Sequence, residues 1–513
     1  MYFFSKVTLP TGSAVVVYSS IMALRICACR EDKLIISNKL SRLLIAVKMI
    51  YLNLMAKQII GLVLLLVGLV VGLGLSKQIT KFFSEATGQP AAIIVEADQT
   101  QGRLPRPWLN LAQGGESSAG MLTATVDKVK ALEPEYIRLD HIYDFYNLVS
   151  QDSGGLRFDW TKLDTEVDAI LATGAKPFLS LSYLPSALAD NVTDAPGDWN
   201  DWQLLVTRTI EHYSGINQKN IDGVYYEVWN EPDLFGGWKL NGAKNYLTLY
   251  ENAAQGAAAA NNVLAFKFGG PATSGFYPNW IEGVFKLSEE KNLRLDFISW
   301  HRYSLKEKDF ADDVENLTKL IARYPRLALK ERIVSEWGLD SANNPAYDGQ
   351  LAAAHAQASI GEMFNLIHKA FMFEIVDGLD PNGKNYWGRF GILTHPEKGL
   401  TPKLRYQWFD WIKPLGTTRI KLSGEGSWVK AVAALTDAGS LQVYLVNYDP
   451  AGNHFETVPV TIKNLTPGPK TITIERFNGP TQTKKATLTT GTWVDNVTLN
   501  SNELVRLTVA PAL

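Results

Sequence analysis

Hydrophobic positions along the chain follow three regimes. The first is Ile59–Leu75, 17 consecutive uncharged residues, the shortest run that crosses about 30 Å of hydrocarbon as a helix. The second runs from 103 to 412, where short apolar runs alternate with stretches whose apolar residues recur three or four positions apart. The runs predict strands at 108–113, 136–140, 176–181, 223–229, 265–269, 296–300, 332–336 and 371–377. The intervening stretches predict helices at 121–132, 162–172, 203–213, 243–260, 278–289, 309–323, 349–367 and 402–412. Strands apolar on both faces, each followed by a helix, belong to a parallel sheet that helices cover. Eight such units predict a closed (β/α)8 barrel. An open, doubly wound sheet would carry a GxGxxG turn after its first strand, and none follows here. In the third regime, 415–513, short period-two segments are separated by turn clusters such as Asp449 to Gly452 and Asn478 to Pro480. That texture predicts an antiparallel β-sandwich. The expected fold is therefore α/β: a TIM barrel, a C-terminal sandwich and an N-terminal transmembrane helix.

Charge assigns sides to the apolar run. The whole 513-residue chain carries 50 basic and 52 acidic residues, a net −2 that offers no field for nucleic acid. Residues 1–58 alone hold eight Lys/Arg against two acids. Lys48 and Lys57 precede the run, so the positive-inside bias makes 1–58 a cytoplasmic leader, 59–76 an anchor, 77–102 a polar tether, and everything beyond extracytoplasmic. Secretion after signal cleavage is the alternative, disfavoured by a poor small-x-small cleavage pattern. Met49 and Met55 each offer a start, which would leave 1–48 or 1–54 outside the natural chain. Both cysteines, Cys27 and Cys29, lie in the leader, and the histidines show no HxH or HxxxH spacing, so neither disulfide, metal nor cofactor is called for.

The candidate chemistry lies at strand ends, since barrel active sites form at the C-terminal face. The fourth strand ends in GVYYEVWNEPD and the seventh in RIVSEWG, which brings Asn230, Glu231 and Glu336 to the same mouth. Either Glu by itself reads equally well as a helix cap or a strand-end residue. Together, beside Trp229 and Trp337, they form a carboxylate pair in unlike surroundings, as glycosidic cleavage requires. A separation of about 5–5.5 Å would suit a retaining enzyme and one beyond about 6.5 Å would not. Arg138 reads as a brace for a carboxylate or as an ion-paired scaffold residue. Trp108, Trp238, Trp300 and Trp337 are candidate sugar platforms, and Asp377 and Asp380 candidate subsite linings.

The segments YYEVWNEPD, DFISWHRYS and IVSEWG, in that order, resemble the clan A glycoside hydrolases, and most nearly glycoside hydrolase family 39. That resemblance covers roughly 103–412. It implies that Glu231 is the general acid/base and Glu336 the nucleophile, that Asn230 binds a sugar 2-hydroxyl, and that His301 and Tyr303 contact the nucleophile or the sugar. Many clan members end strand eight with a tryptophan, whereas FMFEIVDG has none. The function implied is double displacement on an extracellular poly- or oligosaccharide. A non-catalytic surface carbohydrate-binding protein and a transglycosylase are the alternatives. The sandwich is expected to support the barrel, because a binding module needs a row of exposed aromatics and only Trp428, Phe477 and Trp493 are available.

Overall fold

The apolar runs of the central region are the staves of a closed parallel barrel. The computed structural model describes residues 88–114, 120–342, 344–364, 366–378 and 389–511. Its barrel strands are β1 (Asn110–Gln113), β2 (Tyr136–Leu139), β3 (Lys176–Leu181), β4 (Val224–Val228), β5 (Phe266–Thr273), β6 (Phe297–Tyr303), β7 (Glu331–Gly338) and β8 (Lys369–Phe373). Each pairs in parallel with the next, and β8 returns to β1 through Phe371 opposite Asn110. β4 is buried at all five positions because helices cover its outer face and side chains fill the barrel. Phe178, Tyr225, Phe297, Phe371 and Ile333 form one interior layer, with Phe178 4.7 Å from Phe371 and 5.3 Å from Tyr225 between ring centres. This aromatic plug is the floor on which the polar groups of the mouth stand.

Nine further strands among the described residues form one sheet. Its core draws Ile472 and Leu488 from one end and Val497 and Trp493 from the other, so the sheet is folded over itself as a sandwich. A segment that precedes the barrel joins this sheet. Ile93–Arg103 pairs antiparallel with Thr418–Ser423 and parallel with Glu456–Lys463, and Ile93 and Val95 are fully buried. The expected tether over 77–102 is corrected accordingly: from Ile93 onward it is a central strand of the sandwich. Its polar second half, ADQTQGR, conceals the strand from a hydrophobicity reading, because bulges there release the side chains to solvent. The hairpin Val149–Asp152 with Gly155–Phe158 is also absent from the sequence reading.

Among the described residues no helix is long and apolar enough to cross a membrane. The anchor expected at 59–76 and the leader before it lie outside them.

Candidate active site

Inward-facing positions alternate along the strands and stack above the aromatic floor. On β2 these are Tyr136 and Arg138, with Ile137 and Leu139 facing the helices. On β6, Ser299, His301 and Tyr303 face in, whereas Trp300 and Arg302 reach outward to Asp313 on the helix Lys308–Arg323. β7 would break the pattern, since Ile333 faces in and strict alternation would turn Glu336 outward. A bulge at Ser335 resets the register: Val334 opposes Trp300, but Glu336 opposes His301. Glu336 is thereby aimed into the mouth and Trp337 out of it.

β4 delivers its acid by a different device. Trp229 and Glu231 have φ of +72° and +44°, a left-handed conformation uncommon for such side chains. The turn is held by Ser180 Oγ donating to the Trp229 carbonyl at 2.9 Å, Tyr246 OH to Val228 at 2.8 Å, and the Glu231 amide to Ala272 at 2.9 Å. Backbone strain of roughly 1–3 kcal/mol per residue survives only under such restraint.

One buried guanidinium organises the cluster. Arg138 donates to Glu227 Oε2 at 2.8 Å, to Glu336 Oε1 at 2.7 Å and to Asn230 Oδ1 at 2.8 Å. Burial opposes its charge, but Glu227 and Glu336 outweigh that and hold the guanidinium protonated. Tyr303 OH donates to the other oxygen, Glu336 Oε2, at 2.7 Å. Burial, and next the Glu336 charge, push the Tyr303 phenol well above its ordinary value, so it remains a donor. His301 Nδ1 stands 2.9 Å from Glu231 Oε1 and 3.4 Å from Glu336 Oε2. Burial lowers the imidazole pKa while Glu336 and Glu231 raise it, and the net shift is upward. For Glu336, burial raises the pKa and His301 and Arg138 lower it, leaving the carboxyl above its ordinary range. An oxygen of Glu231 and an oxygen of Glu336 lie within 4.8 Å of each other.

Arg138, Asn230, Glu231, His301, Tyr303 and Glu336 are thus brought together. Other candidates are not. Trp108 precedes β1, at the barrel end away from the mouth, and is buried against Phe364. Trp337 points outward to Phe310 and His355. Trp238 is buried against Trp229, and Trp300 donates to Asp313. Each of these four is core rather than a platform. Asp377 is fully buried, with Lys403 Nζ 2.9 Å from both its oxygens and the Gly391 amide on Oδ1, so it ties down the chain after β8 instead of lining a subsite. Asp380 lies outside the described residues.

Three participants are missing from the sequence reading. Glu227 had a visible signal, an acid inside the apolar run VYYEV. Asp140 did also, since it is two positions beyond Arg138 and therefore on the same face. Tyr183, whose OH interacts with both the side chain and the carbonyl of Asn230 at 3.1 and 3.2 Å, follows β3 with no pattern to mark it.

Glu231, His301 and Glu336 are donors that could hold a metal ion. Their oxygens and Nδ1 already share hydrogen bonds, and a guanidinium 2.7 Å from Glu336 repels any added cation. The arrangement suits proton transfer and nucleophilic attack: an acid and a fixed carboxylate across one gap.

Comparison with known proteins agrees with this chemistry. The model of the family Glycosyl hydrolases family 39 matches residues 77–484. A β-xylosidase of Geobacillus stearothermophilus is 26% identical over 302 residues, which are 52% of this chain and 58% of the relative. The α-L-iduronidase of Mus musculus is 25% identical over 183 residues, 33% of this chain and 28% of that protein. The match therefore spans little more than half the length of the xylosidase. Among solved structures, a GH39 enzyme from Xanthomonas axonopodis pv. citri superposes with a TM-score of 0.67 at 19% identity, covering 83% of this chain and 98% of that one.

Proposed function

The chain belongs to glycosyl hydrolase family 39, and from that premise we propose that it cleaves O-glycosidic bonds with retention through Glu231 and Glu336. The observation that carries the reading is that an oxygen of Glu231 and an oxygen of Glu336 lie within 4.8 Å of each other across the barrel mouth, a proximity that fits the short carboxyl spacing of double displacement. Glu231 in its acid form protonates the departing glycosidic oxygen while Glu336 attacks the anomeric carbon from the opposite face. Glu231, now ionised, takes a proton from the water that cleaves the glycosyl ester. Arg138 and Tyr303 bind one Glu336 oxygen each, which stabilises the carboxylate against its burial and fixes the attacking lone pair. His301 holds Glu231 beside it.

Relatives named as a β-xylosidase and an α-L-iduronidase make xylosides and uronides the first substrates to try. The basic leader and the apolar run at 59–76 support a barrel anchored on the extracytoplasmic side; protease applied to intact cells should remove it, and a protected barrel overturns that placement.

Glu231→Gln and Glu336→Ala should each lower kcat on an activated aryl glycoside by roughly 10³-fold or more. Azide should rescue Glu231→Ala with retained and Glu336→Ala with inverted configuration. Unchanged turnover in either variant defeats the assignment, and wild-type binding without turnover indicates a lectin.

A further inference from the structure

Asp140 has no part in the double displacement. It follows β2 on the inward register of Tyr136 and Arg138, at the mouth, with a side chain 5% exposed. Its Oδ2 lies 3.9 Å from Arg138 Nη1, the nitrogen that donates to Glu336 at 2.7 Å. That distance is an electrostatic contact, too long for a hydrogen bond. Its Oδ1 has no hydrogen-bond partner among the described residues. A buried carboxylate oxygen left unpaired is costly, so native structures rarely keep one without a use. Arg138 does not relieve it: its hydrogen bonds go to Glu227, Asn230 and Glu336, and its contact with Asp140 is the 3.9 Å one to Oδ2.

We propose that Asp140 is a sugar-binding residue: its Oδ1 accepts a hydrogen bond from a hydroxyl of the ring that Glu336 attacks, and its charge selects neutral glycosides over uronides. This rests on Glu231 and Glu336 being the reacting pair. An ionised carboxylate only accepts hydrogen bonds, and every free sugar hydroxyl can donate. The selection follows from local charge. Asp140, Glu227 and Glu336 are grouped around the single guanidinium of Arg138, and His301 is engaged with Glu231 and Glu336. A uronate entering this layer adds a fourth anion, and the guanidinium of Arg138 and the imidazole of His301 are already paired with acids.

The test is a cycle between enzyme and substrate. Wild type and Asp140→Ala are compared on the aryl glycoside of a neutral sugar that is turned over best, and on its 2-, 3- and 4-deoxy analogues. Loss of a hydrogen bond to a charged group should lower wild-type kcat/KM by roughly 10- to 150-fold for one analogue. Asp140→Ala should suffer the same loss on the parent glycoside and no further loss on that analogue. Losses that multiply for all three analogues overturn the role of Asp140 while leaving the glycosidase reading intact. Absence of wild-type turnover on every aryl glycoside overturns both. Asp140→Asn, nearly isosteric and still an acceptor, tests the charge: the ratio of kcat/KM for the matching glycuronide to that for the neutral glycoside should rise by about 10-fold or more. An unchanged ratio overturns the selection.

Discussion

At the scale of single residues, the site depends on how many partners one charged group serves. Arg138 satisfies a fork that only a guanidinium spans, and Glu227 beneath it is completely buried. Arg138→Leu should cost about 3–5 kcal/mol in unfolding free energy, because it strands a buried anion. Arg138→Lys should fold better yet lose at least about 100-fold in kcat, since one ammonium cannot orient both Asn230 and Glu336. Denaturant melts set beside kcat separate the two effects. In the proposed mechanism Glu336 must be ionised to attack, and its pKa is raised by burial more than His301 and Arg138 lower it. Activity should therefore fall as pH drops through a midpoint above 4.5, the ordinary value for this side chain. Tyr303→Phe removes a donor to the carboxylate and should move that acid limb of kcat/KM higher still, and a limb that stays in place would contradict the assigned bond.

At the scale of elements, the decisive features are departures from periodicity. The eight strands and their helices were legible because a strand covered on both faces leaves a short continuous apolar run. The bulge at Ser335 was not, since nothing in RIVSEWG marks an extra residue, yet it decides that Glu336 and not Trp337 enters the mouth. The tryptophans were misplaced for the same reason: composition announces an aromatic, but strand register and barrel end decide where it points. The helix Gln350–Glu362 is buried nearly all round, lying between the barrel and the sandwich. His355 within it contacts the Ser304 carbonyl through Nε2 at 2.9 Å, and burial pushes its imidazole down to about 3. In the unfolded chain it protonates near 6.5. The unfolded state thus takes up a proton first, so the stability due to this group is complete above about pH 6.5 and is lost as pH falls toward 3. Between pH 6.5 and 4 the loss should be about 3 kcal/mol, read from denaturant midpoints, and His355→Gln should flatten that slope.

At the scale of the whole molecule, the barrel and sandwich share their packing. Leu441–Asn447 is buried at every position: Val443 and Leu445 enter the sandwich core, while Tyr444 and Val446 join the barrel cluster. Gln350 Nε2 donates to the Asn502 carbonyl at 3.1 Å, and Lys430 pairs with Glu307 at 3.3 Å. Of the aromatics considered for binding, Trp493 and Phe477 are buried in these cores and Trp428 stacks on His454 at 3.8 Å, an arrangement for support. Because Ile93–Arg103 lies within this sheet, a chain beginning at Gln101 should lose thermal stability against one beginning at Gly88. The deficit should reach several degrees in Tm, with activity lost in parallel; equal melting would show the strand to be dispensable.

What the amino-acid order determined by itself was local: which segments are strands, which are helices, and which two acids end strands four and seven. Those follow from side-chain period and from residues within a few positions of one another. What only the tertiary structure decided was orientation and sharing. A one-residue bulge aimed Glu336, a guanidinium from β2 linked acids 89 and 198 positions away, and a strand before the barrel closed the domain after it. Contacts so distant in sequence leave no periodic trace, because burial, hydrogen bonding and charge act through space.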